Sequence, residues 1–367
     1  MSSILPTLGK DVSIDIGSIQ TRLMGGTRGT VISEPSIIAT DTKQEKVVAV
    51  GDEAARLVLR MPDMWRPLTP LKDGFIDMWR PLTPLKDGFI VDYRVMHTML
   101  SYFLNKVSNA LRRARVVVGV PCGMTDVEQR AMMDAVIQAG AREVFLIERP
   151  VAAAIGCGVP IFEAQGSMVI DIGGGTIDMG IVSLGGIVDS KTIRFGGSDI
   201  NNALLRKTIR FGGSDINNAL LRYVRECFGI IVSDETIIDI KHTLGTAVAP
   251  LEDAEYAFQG RDMMNGLGRR CVIHQSEVYQ VINECLIGLL DEVKQMIRAT
   301  APEIVADIMQ HGIWLTGGTA RLSGLADRIG TELGVPVHVP EAPETKVVVG
   351  LNGASSDLVS LSRFIVN

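Results

Sequence analysis

Apolar and polar positions follow two alternating periods along this chain, so that short apolar strands are followed by amphipathic helices. Arg115–Pro121 is apolar enough for a buried strand, and a helical period follows over Asp126–Ala139. A second strand is predicted at Glu143–Ile147, and another helix begins at Pro150. After residue 160 the same order returns, with hairpin strands around Ile170 and Ile181, helices near 217–227 and 276–299, and a strand at Gly312–Thr316. The pattern predicts an α/β protein with two similar halves, divided near residue 160.

Two different segments, each repeated once in tandem without a change, interrupt this pattern. DMWRPLTPLKDGFI occupies 63–76 and again 77–90, and KTIRFGGSDINNALLR occupies 191–206 and again 207–222. Repeat architectures carry many diverged copies at one period, whereas each unit here is doubled once without a substitution. We expect an extended proline-rich loop from the first unit. From the second we expect a strand (Lys191–Phe195), a Gly-Gly turn and a helix capped by Ser198 or Asp199, with one copy of each unit occupying its place in the fold.

Composition and charge narrow the class of protein. The 367 residues are 46% hydrophobic and 21% charged, as expected of a soluble protein with a large core, and the net charge of −6 argues against non-specific nucleic-acid binding. No stretch approaches the ~20 apolar residues of a membrane span. The basic cluster of Arg112, Arg113 and Arg115 is interpreted as a solvated loop. The cysteines lack metal-binding spacing and are expected to be buried thiols in a reducing cytoplasm; they are Cys122, Cys157, Cys227, Cys271 and Cys285.

Two apolar strands each run into a turn of small residues behind an aspartate. Val12–Ser18 contains Asp15, and Met168–Asp178 contains Asp171 followed by three glycines and a threonine. Glycine lets backbone N–H groups approach an anion that a Cβ would keep away, so each turn is a candidate for phosphate binding. A plain hairpin turn is the alternative for each, and the Asp15 sequence is the weaker signal of the two. Together the two turns are suited to hold one nucleotide and its Mg²⁺.

A third glycine turn lies near the C-terminus. Gly317, Gly318, Thr319 and Ala320 lead from a predicted strand towards a helix. Such a turn lets the backbone lie flat against a planar base or ribose, and a tight strand-to-helix connection is the alternative. The chain therefore has a candidate nucleoside site after its two candidate phosphate sites.

These three elements, in this order and at this spacing, resemble the phosphate-1, phosphate-2 and adenosine motifs of the actin, heat-shock chaperone and sugar-kinase superfamily. The finer resemblance is to the MreB family of bacterial actins and covers nearly the whole chain. The segments that carry it include Ser33–Ser36, Pro84–Gly88, Gly140–Glu148, Ala152–Gly156 and the hairpin around Asp171. The resemblance implies the α/β, actin-like ATPase fold, with two related lobes around a nucleotide cleft. Lobe I would be 1–160 with the duplicated 63–90, and lobe II 161–367 with the duplicated 191–222, its last helix returning to lobe I.

The resemblance also implies roles for individual residues. Asp15 and Asp171 would hold Mg²⁺ through water, and Asp171 and Thr176 would act in catalysis. The contacts to ATP or ADP implied in this way are Asp15, Gly17, Ser18, Ile19 and Gln20; Gly173, Gly174, Gly175 and Thr176; Asp239 and Lys241 beside the ribose or base; and Gly317, Gly318, Thr319 and Ala320 at the adenosine. A solvated helix lysine is the alternative for Lys241.

One position departs from the family. MreB proteins usually read Glu-Glu-Pro where this chain reads Glu148-Arg149-Pro150, and the residue before the proline is the family's water-positioning carboxylate. Arginine stays protonated at pH 7 and cannot accept a proton from water. Because loss of a catalytic base commonly costs ~10²- to 10⁴-fold in rate, we expect at most a slow ATPase. Alternatively, the arginine contacts the γ-phosphate and favours retention of ATP or stabilises the transition state. The neighbouring Glu148 is expected to point elsewhere.

The function that the resemblance implies is an ATP-binding cytoskeletal protein. Such a protein polymerises head-to-tail into filaments, since a heterologous contact that does not close forms an open polymer. The resemblance further implies a cytoplasmic protein, peripheral at the inner membrane, with membrane proteins of cell-shape determination as partners. The segment Ser108–Arg113 is basic and has few apolar residues that could enter a membrane. The expectation of membrane binding therefore comes from the family resemblance. A small-molecule kinase on the same fold is the alternative.

Overall fold

The computed structural model describes residues 11–25, 31–41, 46–60, 79–82, 85–86, 89–90, 92–107, 114–194 and 212–366. The chain divides into two compact units. Unit I comprises Met1–Gly158 and Val347–Asn367, and unit II comprises Val159–Lys346. The division expected at residue 160 lies two residues beyond this boundary, and the C-terminal segment belongs to unit I, where the resemblance places the last helix.

The described strands and helices follow the predicted alternation. Those in unit I are β1 (Val12–Ile16), β2 (Gln20–Gly25), β3 (Val31–Pro35), β4 (Ile38–Asp41), β5 (Lys46–Val50), α1 (Asp52–Arg60), β6 (Trp79–Leu82), β7 (Leu85–Lys86), β8 (Phe89–Ile90), α2 (Tyr93–Val107), β9 (Arg115–Val120), α3 (Asp126–Gln138), β10 (Glu143–Glu148) and α4 (Arg149–Gly156). Those in unit II are β11 (Ser167–Ile172), β12 (Thr176–Ser183), β13 (Gly186–Arg194), α5 (Gly213–Phe228), β14 (Ile230–Ile231), α6 (Asp234–Leu244), β15 (Glu255–Asp262), β16 (Gly268–His274), α7 (Gln275–Ala299), α8 (Pro302–His311), β17 (Ile313–Thr316), α9 (Leu325–Leu333) and β18 (Val337–His338). The chain ends with α10 (Lys346–Ser355) and β19 (Ile365–Val366).

The main sheets of the two units share one topology. In unit I, β1, β2 and β3 form an antiparallel meander, and β9 and β10 continue from β1 in parallel, giving the order β19-β10-β9-β1-β2-β3. In unit II the order is β13-β12-β11-β17-β18, with the same antiparallel meander and the same parallel continuation. Asp15 lies opposite Gly119 of β9, and Asp171 lies opposite Thr316 of β17. The two aspartates therefore occupy equivalent positions in equivalent sheets.

Each unit has its own hydrophobic core. In unit I, Ile14 of β1 and Val118 of β9 pack in one cluster with Phe103 of α2 and Val136 of α3. The cluster of unit II joins strands β11, β12 and β17 to helices α5, α6 and α7. Burial of apolar surface on the helix-facing sides of the sheets fixes the strand order and, with it, the positions of the turns at the strand ends.

The two copies of the first duplicated unit are not equivalent in the structure. Copy 77–90 contains β6, β7 and β8, whereas copy 63–76 lies outside the described residues. β6 pairs antiparallel with β4, Trp79 standing opposite Asp41. The unit is thus extended, as expected, but it forms sheet where the sequence predicts a loop, because β4 offers it an edge for backbone hydrogen bonds.

The second duplicated unit corrects the expectation that one whole copy occupies the place in the fold. β13 ends at Arg194 in the first copy, and α5 begins at Gly213 in the second; Phe195, Ser198 and Asp199 lie outside the described residues. The N-cap of α5 is Gly212, a position that corresponds to neither of the expected capping residues. The Gly213 N–H donates to the Gly173 carbonyl (3.1 Å) and the Ser214 N–H to the Gly174 carbonyl (2.9 Å), so backbone acceptors replace the side-chain cap.

Removing residues 195–210 should leave the protein at least as stable as the full chain. The deletion joins Arg194 to Phe211 and restores one uninterrupted copy, with β13 and α5 unchanged in sequence. A shorter connection lowers the entropy cost of closure, by about 0.6 kcal/mol for each halving of its length. Differential scanning calorimetry should show an equal or higher Tm. A variant in which residues 195–210 are replaced by a Gly-Ser segment of the same length separates the effect of length from that of sequence. A lower Tm for the deletion would contradict the finding that the fold takes β13 from one copy and α5 from the other.

Two further expectations are wrong. Arg115 is not in a solvated loop: it belongs to β9, its Nη2 lies 2.6 Å from Asp11 Oδ2, and it donates to the Ser355 carbonyl at 2.8 Å. Arg112 and Arg113 lie outside the described residues. The cysteines are not all buried, since Cys227 is exposed in the last turn of α5 beyond the buried residues of that helix. Cys285 agrees in part with the expectation of buried thiols: it is half-buried, and burial raises the pKa of its thiol to about 11.

Candidate functional site

The Asp15 turn (residues 15–20) closes β1 onto β2 in unit I. Asp15 is buried, and the Gly17 N–H donates to the Gln20 carbonyl at 3.0 Å. A Cβ on Gly17 would lie 2.6 Å from that carbonyl oxygen, so the turn requires glycine. Ser36, the residue after β3, makes two hydrogen bonds to the turn. Its hydroxyl donates to the Gly17 carbonyl at 2.6 Å, and its N–H donates to the Ile19 carbonyl at 2.8 Å. The backbone of the turn is therefore fixed before any ligand binds.

Arg149 reaches the base of this turn from the start of α4. Its Nε donates to Asp15 Oδ1 at 3.1 Å and its Nη2 to the Ile16 carbonyl at 2.7 Å. The side chains of the pair are only 5% and 9% exposed. β9 lies between β10, which precedes Arg149, and β1. A Cβ on Gly119 of β9 would stand 3.1 Å from Leu351 Cδ1 and 3.2 Å from Val347 Cγ1 of α10, and at an ordinary contact distance of 3.7 Å from Arg149 Cγ. Arg149 therefore reaches from the end of β10, past β9, to the aspartate of β1.

Glu148, the only carboxylate adjacent to Arg149 in sequence, is directed elsewhere. Its Oε1 accepts a hydrogen bond from the Gly123 N–H at 3.2 Å, and the residue is half-buried as the N-cap of α4. The expectation that the Glu148 side chain points elsewhere is confirmed, because it bonds to Gly123 whereas Arg149 bonds to Asp15. Successive side chains at the end of a strand point to opposite faces, which accounts for the divergence.

The Asp171 turn (residues 171–176) is the equivalent feature of unit II. Asp171 is buried and accepts a hydrogen bond from the Thr316 hydroxyl at 2.7 Å. The Gly173 N–H donates to the Thr176 carbonyl at 3.0 Å, which closes the turn. The Thr319 hydroxyl donates to the Gly173 carbonyl at 3.2 Å. The turn is thus held by β17 and the segment after it, as well as by the start of α5.

Thr176 is oriented towards a second buried acid. Its hydroxyl donates to Asp178 Oδ2 at 3.1 Å, and the Thr192 hydroxyl bonds to Asp178 Oδ1. A hydroxyl has one proton, and in this arrangement Thr176 donates it to Asp178. Binding a phosphate oxygen through this hydroxyl would require the bond to Asp178 to change.

The predicted adenosine turn packs directly on the Asp171 turn. Gly317 has φ +87, and a Cβ there would lie 2.3 Å from the Ile172 carbonyl oxygen, so the position requires glycine. Its N–H donates to the Pro343 carbonyl at 3.0 Å. Gly318 is exposed and nothing lies within 4 Å of a Cβ built on it, whereas Ala320 is buried in the core. The turn therefore presents an open, flat surface at Gly318.

The structure separates the two predicted residues of α6. Lys241 Nζ donates to the Gly213 carbonyl at 3.4 Å, and burial lowers the pKa of its ammonium group. Asp239 is exposed. Residues two apart on a helix do not share a face, so only Lys241 lies beside the start of α5 and the Asp171 turn.

Sequence reasoning missed several residues that shape these turns. Thr316 and Ser36 donate to Asp171 and Gly17, Gly119 lets α10 pack closely on β9, and Gly213 carries the carbonyl that Lys241 contacts. A signal existed for two of them, because Thr316 directly precedes the glycine turn and Ser36 ends the Ser33–Ser36 segment. The other two depend on contacts between elements that are separate in sequence, β9 with α10 and α5 with α6, which no local pattern encodes.

The residues at Asp15 do not fit a divalent cation. Mg²⁺ prefers carboxylate and water oxygens, and the carboxylate of Asp15 is already paired with the guanidinium of Arg149. Within the described part of the chain, no group of three or more His, Cys, Asp or Glu residues is arranged to hold a metal ion. The Mg²⁺ site predicted from Asp15 and Asp171 stays a prediction, and the Asp15 contribution to it disagrees with the geometry.

Two sheets of one topology, each with a buried aspartate and a small-residue turn at the end of its first strand, define an actin-like ATPase fold. Solved structures agree: MreB5 of Spiroplasma citri bound to ADP superposes with a TM-score of 0.82 and 26% identity, over 96% of this chain and 97% of that one. The MamK double helical filament, at a TM-score of 0.71 and 17% identity over 95% and 99% of the two chains, supports the fold alone.

The chain belongs to the MreB/Mbl family, whose family model matches residues 9–81, 77–207 and 203–363. The cell shape-determining protein MreB of Escherichia coli is 37% identical over 358 residues, 96% of this chain and 94% of that protein. The cell shape-determining protein Mbl of Bacillus subtilis is 35% identical over 343 residues, 93% and 94% of the two. The matched segments overlap at 77–81 and 203–207, inside the duplicated units, so each break in the match coincides with a duplication.

Proposed function

We propose that this chain is an ATP-binding bacterial actin that polymerises head-to-tail into cytoskeletal filaments for cell-shape determination. The observation that carries the proposal is the pair of equivalent turns, each behind a buried aspartate, in a chain of the MreB/Mbl family. Relatives named as cell shape-determining proteins, and the ADP-bound MreB5 structure, support it. A contact between unlike faces of successive copies generates an open filament.

In this proposal the phosphates of ATP or ADP contact the Asp15 and Asp171 turns, and the nucleoside lies on the turn after β17. Backbone N–H groups of residues 18–20 and 174–176 supply the phosphate contacts of the two turns, since the N–H groups of Gly17 and Gly173 close the turns themselves. The exposed Gly318 offers a surface for a flat ring, and the half-buried Lys241 adds a positive charge next to the Asp171 turn. Asp239, being exposed, is proposed only at the outer edge of the ribose.

We further propose a cytoplasmic protein, peripheral at the inner membrane, with membrane proteins of cell-shape determination as partners. Support comes from the family alone, because the basic segment Ser108–Arg113 lies outside the described residues. Among the described helices none is long and apolar enough to cross a membrane.

ATP should drive polymerisation of the full chain. Sedimentation and negative-stain electron microscopy should show filaments with ATP and fewer without it, because nucleotide bound to both turns favours the assembling conformation. Thr319→Val removes the hydroxyl bonded to Gly173 and should raise the ATP concentration needed for assembly by about two- to tenfold.

The matched control is Thr300→Val, which removes a hydroxyl donated to the Met296 carbonyl in α7, away from the turns, and should leave the ATP requirement unchanged. A protein that stays monomeric at high concentration with ATP would contradict the filament proposal. ADP release that depends on an added small-molecule substrate would instead favour a kinase on the same fold.

A further inference from the structure

Asp15 and Asp171 occupy equivalent places, but the neighbouring strand provides a different residue beside each. Beside Asp171, the neighbouring strand supplies Thr316, whose hydroxyl donates to Oδ1 at 2.7 Å. The corresponding place beside Asp15 is Gly119, which has no side chain, and the donor is the Arg149 guanidinium. A hydroxyl donates a hydrogen bond without adding charge, whereas a guanidinium brings a full positive charge to the carboxylate.

Several contacts hold that positive charge at the turn. Arg149 is 5% exposed, pairs with Asp15, and donates to the carbonyl of Ile16, the residue next to the Gly17 turn. A guanidinium stays protonated at any pH at which the protein is folded, so the charge is permanent. Its position as the first residue of α4, followed by Pro150, fixes where the side chain starts.

A divalent cation at Asp15 would meet this charge directly. Two cations beside one buried carboxylate repel, and the repulsion is strong where water is excluded. A guanidinium, in contrast, neutralises the charge of the carboxylate and donates hydrogen bonds to it, as a bound cation would otherwise do by coordination. We propose that Arg149 takes the place of the divalent cation at Asp15, so that this chain binds ATP without Mg²⁺. The inference rests on the nucleotide function proposed above.

Calorimetric titration of the full chain with ATP, in Mg²⁺ and in EDTA, tests the inference. For the natural sequence we expect the two dissociation constants to agree within about threefold. Arg149→Glu replaces the guanidinium by the carboxylate usual in the family. Its affinity should fall by about 100-fold or more when Mg²⁺ is removed, because two neighbouring carboxylates then face the phosphates without a cation.

Two further variants separate charge at the site from charge in general. Arg142→Glu makes the same change of charge at an exposed residue of the same unit, whose partner Glu143 lies 3.6 Å away, and should keep affinity independent of Mg²⁺. Arg149→Lys keeps the positive charge at the site, and we expect it to remain far less dependent on Mg²⁺ than Arg149→Glu. Thermal melts of each variant check that it is folded.

The outcomes are distinguishable. Binding of ATP by the natural sequence only in the presence of Mg²⁺ overturns the inference and leaves the nucleotide function intact. Absence of ATP binding in both buffers overturns the nucleotide function and the inference with it. Should Arg149→Glu fail to fold, the comparison of the natural sequence in Mg²⁺ and EDTA decides by itself.

Discussion

Gly350→Ala should lower the free energy of unfolding by about 3 kcal/mol or more, the upper end of what overpacking costs. Gly350 lies in α10, where that helix packs on α4. A Cβ at this position would stand 1.7 Å from the Ala152 carbonyl oxygen and 2.8 Å from the Gly156 nitrogen, both of them backbone atoms of α4. Because backbone cannot turn aside as a flexible side chain does, the two helices would have to separate. Urea denaturation measures the change.

Gly353→Ala in the same helix is the matched control. A Cβ there would meet only Ile155 Cγ2, at the ordinary contact distance of 3.4 Å, and Gly353 is exposed. Alanine is favoured over glycine in a helix by up to ~1 kcal/mol, so this variant should be equally or more stable. Equal stabilities of the two variants would show that α10 and α4 do not pack this closely. Since Arg149 begins α4, Gly350→Ala should also weaken ATP binding.

Arg149→Glu should raise the rate of phosphate release by about 100-fold or more in buffer with Mg²⁺, within the range that a general base contributes. The natural arginine cannot accept a proton from water, and two of its nitrogens donate to Asp15 and Ile16. Glu148 does not replace it, because its carboxylate is bonded to the Gly123 N–H. Steady-state phosphate release at saturating ATP measures the effect.

Arg142→Glu again serves as the control, since it makes the same change of charge on the exposed surface of unit I and should hydrolyse ATP at the natural rate. Equal rates for Arg149→Glu and the natural sequence would refute the claim that Arg149 suppresses hydrolysis. The measurement is independent of the Mg²⁺ test, because a nucleotide can bind without being hydrolysed.

Elements with strong local signals were predicted closely. β9 was expected at Arg115–Pro121 and is Arg115–Val120, and α3 was expected at Asp126–Ala139 and is Asp126–Gln138. The start of α3 is encoded locally, as the Thr125 side chain accepts from the Glu128 N–H and the Glu128 carboxylate accepts from the Thr125 N–H. The glycine turns were found for the same reason, because a turn that needs glycine shows it in the sequence.

Predictions that depended on choosing between equivalent segments were less successful. The second duplicated unit offers the same residues twice, so no local propensity distinguishes the copies. The structure takes the strand from one copy and the helix from the other, with the helix start bonded to the Gly173 and Gly174 carbonyls. Cys227 is a similar case, because the hydrophobicity of a cysteine does not reveal that the packed part of α5 ends before it.

The sequence by itself determined the α/β alternation, the two aspartate turns, the glycine turn after β17 and the departure at Arg149, because each depends on residues adjacent along the chain. Only the tertiary structure decided what Arg149 does. Its partner Asp15 lies 134 residues away, and the two meet because parallel pairing of β1, β9 and β10 puts the ends of these strands side by side. Strand register, which the packed core fixes, converts a substitution visible in the sequence into a buried ion pair at the turn.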